Sequence, residues 1–204
     1  MPMPHRCIVF LGLAAALLLP LRMAATTVEA PVFKELVGSA DYVVRGVVQS
    51  VSSEWREYDG QSYIATQVTL EVRAVIRGTP PASVVLELVG GRVGDDELRI
   101  EGAPRFQIGE EDIFFVRGNG RMMYPLVGIM HGVYPILHDF KSGTDYVLRS
   151  NGMPLYSEQD VSLPMTRLSA TKVQDPAAQP MTAGAFINAI RNQRDAILPS
   201  VLEN

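Results

Sequence analysis

Two histidines, His131 and His138, are the residues of this chain best suited by type to acid–base chemistry. The chain has three histidines and one cysteine, and the third histidine and the cysteine lie within the first ten residues. Either histidine could serve in a Ser-His-Asp triad, whose members meet only in space. A Gly-x-Ser-x-Gly nucleophile motif does not occur. We therefore interpret both histidines as strand or turn residues, predict no catalytic residues and expect that the protein is not an enzyme.

The acidic and glycine-rich runs do not match a known type of metal or phosphate site. The two histidines and Asp139 lack the spacing typical of zinc ligands. The run Asp95-Asp96-Glu97 lacks the ligand alternation of a calcium loop, and Glu110-Glu111-Asp112 is typical of a polar turn that leads into an apolar strand. The glycines between positions 90 and 94 follow neither Walker nor dinucleotide-binding spacing. We predict no metal and no cofactor.

Three aromatic residues surround the first predicted hairpin and form the candidate binding rim: Trp55, Tyr58 and Tyr63. On a small β-barrel, a loop of this kind can bind an oligosaccharide or single-stranded nucleic acid. Nucleic acid is disfavoured because the chain has a formal net charge of −4, whereas a phosphate backbone requires a basic surface. A simpler interpretation is that amphipathic aromatic side chains cap the end of the barrel.

The first 25 residues have the layout of a secretory signal peptide. Arg6 precedes an uncharged apolar run over residues 8–19, and small residues up to Ala25 offer a cleavage site. The run is shorter than the roughly 20 residues of a membrane-spanning helix. Cleavage removes the only cysteine, together with two arginines and no acidic residue, so the net charge changes from −4 to −6. We expect a secreted or periplasmic protein with no membrane span after cleavage, whose mature chain begins within residues 26–31.

The pattern of residues 26–156 is that of a β-rich domain. Strand-like runs recur at short intervals between turn residues such as Asp59-Gly60, and long helices do not alternate with them. The clearest run, residues 64–72, alternates apolar and polar side chains. Gly46, inside the first strand, indicates a bulge with positive φ. We predict a mainly β fold, a small antiparallel closed or partly open barrel of the OB-fold type with extra hairpins, a short helix over residues 31–40 and a C-terminal helix.

The composition of the chain changes after residue 156. Residues 157–181 are rich in Ser, Thr, Pro, Ala and Gln without a sustained period, which predicts a linker. Thr182 is a suitable N-cap for a last helix, because apolar residues such as Phe186 and Ile190 follow it at helical spacing. The predicted organisation is a signal peptide (1–25), a β-barrel domain (26–156), a linker (157–181) and a C-terminal helix with a tail (182–204).

Several motifs between Ala40 and Val116 resemble those of a group of uncharacterised bacterial secreted proteins. The motifs are Ala40-Asp-Tyr-Val-Val-Arg-Gly-Val-Val48, Arg77-Gly78, Gly90-Gly91, Gly102-Ala-Pro-Arg-Phe106 and Gly109-Glu-Glu-Asp-Ile-Phe-Phe-Val116. That group is loosely similar to the OB-fold barrel of netrin modules and tissue inhibitors of metalloproteinases, and its members are often encoded near secreted zinc proteases. The resemblance implies a barrel and a secreted metalloprotease as partner. It does not imply zinc chelation, because those inhibitors use an N-terminal cysteine that the mature chain lacks.

The sequence as a whole predicts a non-catalytic exported accessory or protein-binding module, with a secreted metalloprotease as the candidate partner. Two alternatives stay open. One is an uncatalogued secreted hydrolase, in which a carboxylate pair assembles from distant loops. The other is a carbohydrate-binding barrel that uses the aromatic rim.

Overall fold

The computed structural model describes residues 29–165 and 178–202, with side chains up to Ile197. The predicted signal peptide and its cleavage site lie outside the described residues. Within them the fold is mainly β, as predicted, with two α-helices and two 3₁₀ helices. None of these helices combines the length and the apolar character needed to cross a bilayer. The elements in chain order are α1 (Phe33–Ser39), β1 (Tyr42–Tyr58), β2 (Gln61–Arg77), β3 (Val84–Val89), β4 (Gly91–Val93), β5 (Asp96–Leu98), β6 (Glu111–Val116), the first 3₁₀ helix (Ile129–Gly132), β7 (Val133–Asp139), β8 (Thr144–Val147), the second 3₁₀ helix (Glu158–Ser162) and α2 (Ala183–Leu202).

Six antiparallel strands form one sheet in the order β3-β2-β1-β6-β7-β8, and β4 and β5 form a separate hairpin. The turn between β1 and β2 consists of Asp59 and Gly60, whose φ angles are 51° and 72°. Two successive residues with positive φ are what a type I′ turn needs, and this turn matches the twist of its strands. The hairpin predicted at this position is confirmed.

β1 joins the two halves of the sheet. It pairs with β2 along nearly its whole length and, over residues 42–47, with β6 on its opposite edge. The register with β2 shifts between Arg45 and Gly46, so an irregularity lies where the sequence predicted a bulge. The predicted positive φ at Gly46 is wrong, because that residue keeps a negative φ. Glycine instead relieves crowding, since a Cβ atom would lie 3.2 Å from the carbonyl oxygen of Glu71 on β2.

β6 is buried on both faces, which explains why its Ile-Phe-Phe-Val run has no polar side. Ile113 and Phe115 point to the helical face, where they pack with α1, α2 and the second 3₁₀ helix. Phe186 of α2 contacts three other rings, with centroid separations of 5.9, 6.2 and 5.0 Å to Phe33, Phe115 and Tyr134. Full burial of one such aromatic side chain stabilises by roughly 1.5–3 kcal/mol. This cluster therefore holds the C-terminal helix on the sheet.

The opposite, inner face of the sheet encloses a second core. Side chains of the edge strand β3, such as Leu86, share this core with Phe114 of β6, so the sheet curves across the strands between them. Residues 117–126 cover the free edge of β3, where the N–H of Val89 donates to the carbonyl oxygen of Met123 at 3.1 Å. The pairings within the described residues leave β3 and β8 at the two ends of the sheet. Closure into the predicted barrel is therefore not confirmed.

The segment predicted as a linker begins with ordered structure. Its first residues form the second 3₁₀ helix, and Val161 is fully buried in the helical-face core. The N–H groups of Tyr156 and Ser157 both donate to Oδ2 of Asp160, at 2.9 and 3.1 Å, which stabilises the turn. Val161 is the only buried residue among the described residues of this segment. A single buried side chain leaves no repeating apolar pattern in the sequence. Residues 166–177 of the predicted linker lie outside the described residues.

Replacement of Gly46 by valine is expected to lower the free energy of unfolding by about 1 kcal/mol or more, because the added side chain crowds β2. Gly184→Ala is the control for a side chain added without crowding, because a Cβ atom there would lie 4.0 Å from its nearest neighbour, the Thr182 hydroxyl. This variant should not be less stable than the wild type. Chemical denaturation of both variants and the wild type measures the difference. An unchanged unfolding midpoint for Gly46→Val would show that β1 accepts a side chain at this position.

Candidate functional site

The predicted aromatic rim lies at the far end of the β1–β2 hairpin, but its three residues do not face one way. Residues directly opposite each other in an antiparallel pair project from the same face, and successive residues alternate. Tyr63 is paired with Arg56, two residues before Tyr58, so the two tyrosines share one face. Trp55 is paired with Ile64 and projects from the other face. The structure therefore brings Tyr58 and Tyr63 together and separates Trp55 from them.

Residues 54–63 form the ribbon tip, the part of the hairpin that extends beyond both neighbouring strands. β3 ends before this segment on one side, and β6 ends before it on the other. Every residue of the ribbon tip except Tyr63 is exposed. Trp55 and Tyr58 expose 51% and 78% of their surface. The protein thus presents two large aromatic side chains to solvent on opposite faces of a two-stranded ribbon.

His131 is buried in the first 3₁₀ helix and is 3% exposed. Burial and the charge of Arg149 lower the pKa of its imidazole below the usual range. Its Nδ1 atom has no hydrogen-bond partner among the described residues, and the same is true of Nε of Arg149 and the hydroxyl of Tyr134. A neutral, buried imidazole without a carboxylate partner is poorly placed to act as a general base.

His138 lies on β7 and contacts a carboxylate. Its Nδ1 atom is 2.7 Å from Oδ1 of Asp145, whose Oδ2 accepts a hydrogen bond from Arg45 at 2.7 Å. These two partners lower the pKa of Asp145 below its usual range. The imidazole ring packs edge-on against Phe140, with centroids 4.8 Å apart. The pair has the His–Asp part of a catalytic triad, but no hydroxyl or thiol of the described residues bonds to His138.

The acidic runs separate into surface pairs and one buried group. The run 95–97 lies at the β4–β5 turn, and its last carboxylate pairs with an arginine two residues on, at 2.9 Å. Glu111 binds Arg45 through both oxygens, at 2.7 and 3.1 Å, and Glu110 accepts a backbone hydrogen bond at 2.7 Å. In residues 29–165 and 178–202, no three His, Cys, Asp or Glu side chains are grouped to hold a metal ion. Asp112 is the exception to this surface pairing.

Asp112 lies in the wall of a cleft of about 560 Å³, the Asp112 cleft, between the segment 102–106 and strands β6 and β7. This volume lies within the range of small-molecule sites. Such sites typically combine apolar walls with a few polar groups that fix the orientation of a ligand. The lining has this composition and includes Pro104, Phe106, Met130, Val133, Arg105 and Asn151.

The Asp112 carboxyl group is buried without a partner. The residue is 3% exposed, and no donor or cation within the described residues bonds to its carboxyl oxygens. Its neighbours across the sheet are Gly46 on β1 and Pro135 on β7, and neither contributes a side-chain donor. Arg45 projects from the opposite face, where Glu111 binds it. Asp112 therefore offers hydrogen-bond acceptors to the cleft, and a group that enters the cleft can supply the donor.

Burial raises the pKa of Asp112 to about 7, and the charges of Glu110 and Glu111 add to the effect. A carboxyl group with this pKa gains and loses a proton near neutral pH. Once deprotonated, it is a strong acceptor for a cationic donor that enters the cleft, because a hydrogen bond between two charged groups is stronger than one between neutral groups. Asp112 is therefore the candidate functional residue of the described structure.

The sequence predicts a polar turn at Asp112, whereas the structure places this residue in the wall of the cleft. The signal that could have found it is the strand period. Alternate residues of a strand share a face, so Asp112 is in phase with Phe114 and Val116, both of which belong to the inner core. A carboxyl group on an apolar face of a strand can be buried, and a buried charge is rare unless it is paired. The period alone does not select Asp112, because Glu111 shares the other face with Phe115 and is only partly buried.

The comparisons with known proteins do not assign this site. No protein-family model, no curated protein and no solved structure matches the chain. The resemblance to bacterial secreted proteins therefore stays a prediction. A fold alone does not define an activity, so the function depends on the residues of the site itself.

The raised pKa of Asp112 predicts how stability changes with pH. An aspartate in an unfolded chain has a pKa of about 3.9, so between that value and about 7 the folded protein holds a proton that the unfolded chain releases. The stabilisation from this proton is fully present below pH 4 and is lost as pH rises through 7. The loss is on the order of 2–4 kcal/mol. Asp112→Asn should remove this dependence, because its side chain stays neutral.

Urea denaturation of the wild type and Asp112→Asn between pH 4 and pH 8 measures the effect. The variant should match the wild type at pH 4 and exceed it in stability at pH 8. Asp95→Asn, in the exposed β4–β5 turn, is the control and should follow the wild-type profile. Parallel profiles for the wild type and Asp112→Asn would contradict an unpartnered carboxyl group.

Proposed function

We propose that this protein is an exported, non-catalytic accessory module that binds a partner protein through its ribbon tip. The observation that carries the proposal is the exposure of Trp55 and Tyr58 on a ribbon that extends beyond the rest of the sheet. Tryptophan and tyrosine are enriched among the residues that dominate the binding energy of protein interfaces. A partner that covers these rings gains apolar burial that the free protein lacks.

The ribbon tip offers main-chain contacts as well as aromatic ones. Beyond the ends of β3 and β6, the outer edges of the hairpin carry backbone groups that point away from it, and a partner strand can add to such an edge. Charged residues surround the aromatic rings, and Arg56 forms a 2.6 Å ion pair with Glu54. Aromatic anchors within a polar rim are the usual composition of a protein interface.

The architecture we propose for the module is a partly open barrel of the OB-fold type. Two contacts at the edge of β3 support it. The hydroxyl of Tyr124 donates to the carbonyl oxygen of Val89, and Nδ2 of Asn119 donates to that of Val85, both at 2.8 Å. These bonds cover an edge strand that would otherwise be open to pairing with another chain. The ribbon tip then projects from one end of a curved sheet.

Export, partner class and lack of catalysis rest on separate grounds. The layout of residues 1–25 supports export, and the family resemblance makes a secreted metalloprotease the first candidate partner. The net charge of −6 after cleavage disfavours nucleic acid. The non-catalytic proposal is supported by the engagement of Asp145 with both His138 and Arg45, and by the burial of His131.

A photo-crosslinking amino acid at position 58 tests the proposal. We expect the exported protein to form an adduct with a specific partner in periplasmic extract or culture medium, because Tyr58 is 78% exposed on the ribbon tip. The same group at Phe140, which is 90% exposed in the β7–β8 turn, is the matched control and should give no such adduct. Mass spectrometry identifies the partner. The same spectra show whether the exported form of this protein begins within residues 26–31.

Equal adducts at both positions, or none at either, would contradict the ribbon tip as the contact surface. A broad hydrolase screen tests the non-catalytic part. An activity that disappears in the folded double variant His131→Ala with His138→Ala, or on neutralisation of residues 95–97, would overturn it.

A further inference from the structure

The Asp112 cleft contains an acceptor that the described protein does not satisfy. Asp112 is 3% exposed, and this burial disfavours the ionised form of its carboxyl group. The strands on both sides of Asp112 place Gly46 and Pro135 next to it. Neither residue can be rotated or repacked to supply a side-chain donor. A donor that enters from the cleft would stabilise the ionised form.

The charges around the carboxyl group favour a cationic donor. Glu110, just before β6, and Glu111, at the start of β6, both oppose the ionisation of Asp112. β1 contributes Arg45 on the opposite face, which Glu111 and a second carboxylate already bind. The segment 102–106 contributes Arg105 to the wall of the cleft, and β7 contributes Val133 and Pro135. The local sum is negative, so a single positive charge next to Asp112 is favoured over a neutral or negative group.

The walls of the cleft fit an alkyl chain better than a bare ion. Pro104, Phe106 and Met130 line it, and an aliphatic stem gains by burial against such side chains. A divalent cation requires several oxygen ligands. Within the two described ranges no three acidic or histidine side chains meet, and Asp112 alone would be an incomplete ligand set.

We propose that the Asp112 cleft binds a primary alkylammonium group, such as a lysine side chain, whose ammonium donates to the Asp112 carboxylate while its stem packs against Phe106 and Met130. This site is separate from the ribbon tip and does not depend on the proposed partner there. The carboxylate and the ammonium form a charge-assisted hydrogen bond at a residue that is 3% exposed.

Binding of an ammonium group is linked to the proton on Asp112. The ligand requires the ionised carboxylate, so it displaces the proton that the free protein holds below about pH 7. Affinity should therefore increase as pH rises from about 5.5 to 8, whereas alkyl amines themselves stay charged over that range.

Isothermal titration calorimetry with two matched probes tests the proposal on the exported chain. Nα-acetyl-lysine amide carries the ammonium, and Nα-acetyl-norleucine amide carries a similar stem without it. We expect saturable binding of the lysine probe at pH 8 that weakens at least about tenfold at pH 5.5 and in Asp112→Asn. The norleucine probe should not bind measurably, and Asp95→Asn should bind the lysine probe like the wild type.

Backbone NMR shifts of the wild type locate the site without any variant, and the lysine probe should perturb residues 102–106. No saturable binding at pH 8 with millimolar probe would overturn the proposal. So would equal affinity for both probes, pH-independent affinity, or full affinity in Asp112→Asn. Binding of methyl glucoside at residues 102–106 in place of the lysine probe would assign the cleft to a sugar and overturn the ammonium assignment.

Discussion

The pairing of β1 with β2 on one edge and with β6 on the other is the constraint on which the rest of the structure depends. It places β6 inside the sheet, where both of its faces are buried. The same pairing sets Gly46 directly opposite Asp112. Because β1 and β2 continue past β3 and β6, the ribbon tip is a second consequence of this arrangement. The cleft and the ribbon tip therefore both arise from the length and the two-sided pairing of one strand.

Glu111 and Asp112 are adjacent in sequence but project from opposite faces of the sheet, and their surroundings differ. On the helical face, Glu111 and Asp145 share Arg45, which links β6, β8 and β1. On the inner face, Asp112 faces the cleft, and no side chain of the described residues bonds to its carboxyl group. Helix packing around Phe186 stabilises the first face independently. The inner face can thus carry an unpartnered carboxyl group at a cost that the aromatic core offsets.

Local features of the fold could be predicted from the sequence, and long-range ones could not. The Asp59-Gly60 turn and the N-cap of α2, where Thr182 Oγ1 accepts from the N–H of Ala185 at 3.1 Å, follow from residue type and spacing. The opposite orientations of Trp55 and Tyr58 follow from the strand period, which requires the register to be known. Burial of Val161 depends on contacts with distant elements, so local composition carries no sign of it. Whether the sheet closes into a barrel also depends on contacts between strands that are distant in the sequence.

A ¹³C NMR titration of the Asp112 carboxyl carbon in the ligand-free protein tests the central claim most directly, namely that the sheet holds this group buried and unpartnered beside a cleft. The predicted midpoint is about 7, well above the roughly 3.9 of an aspartate in an unfolded chain. A midpoint at or below that ordinary value would show that the carboxyl group is solvated or already has a donor. It would contradict the placement of Asp112 and the site built on it.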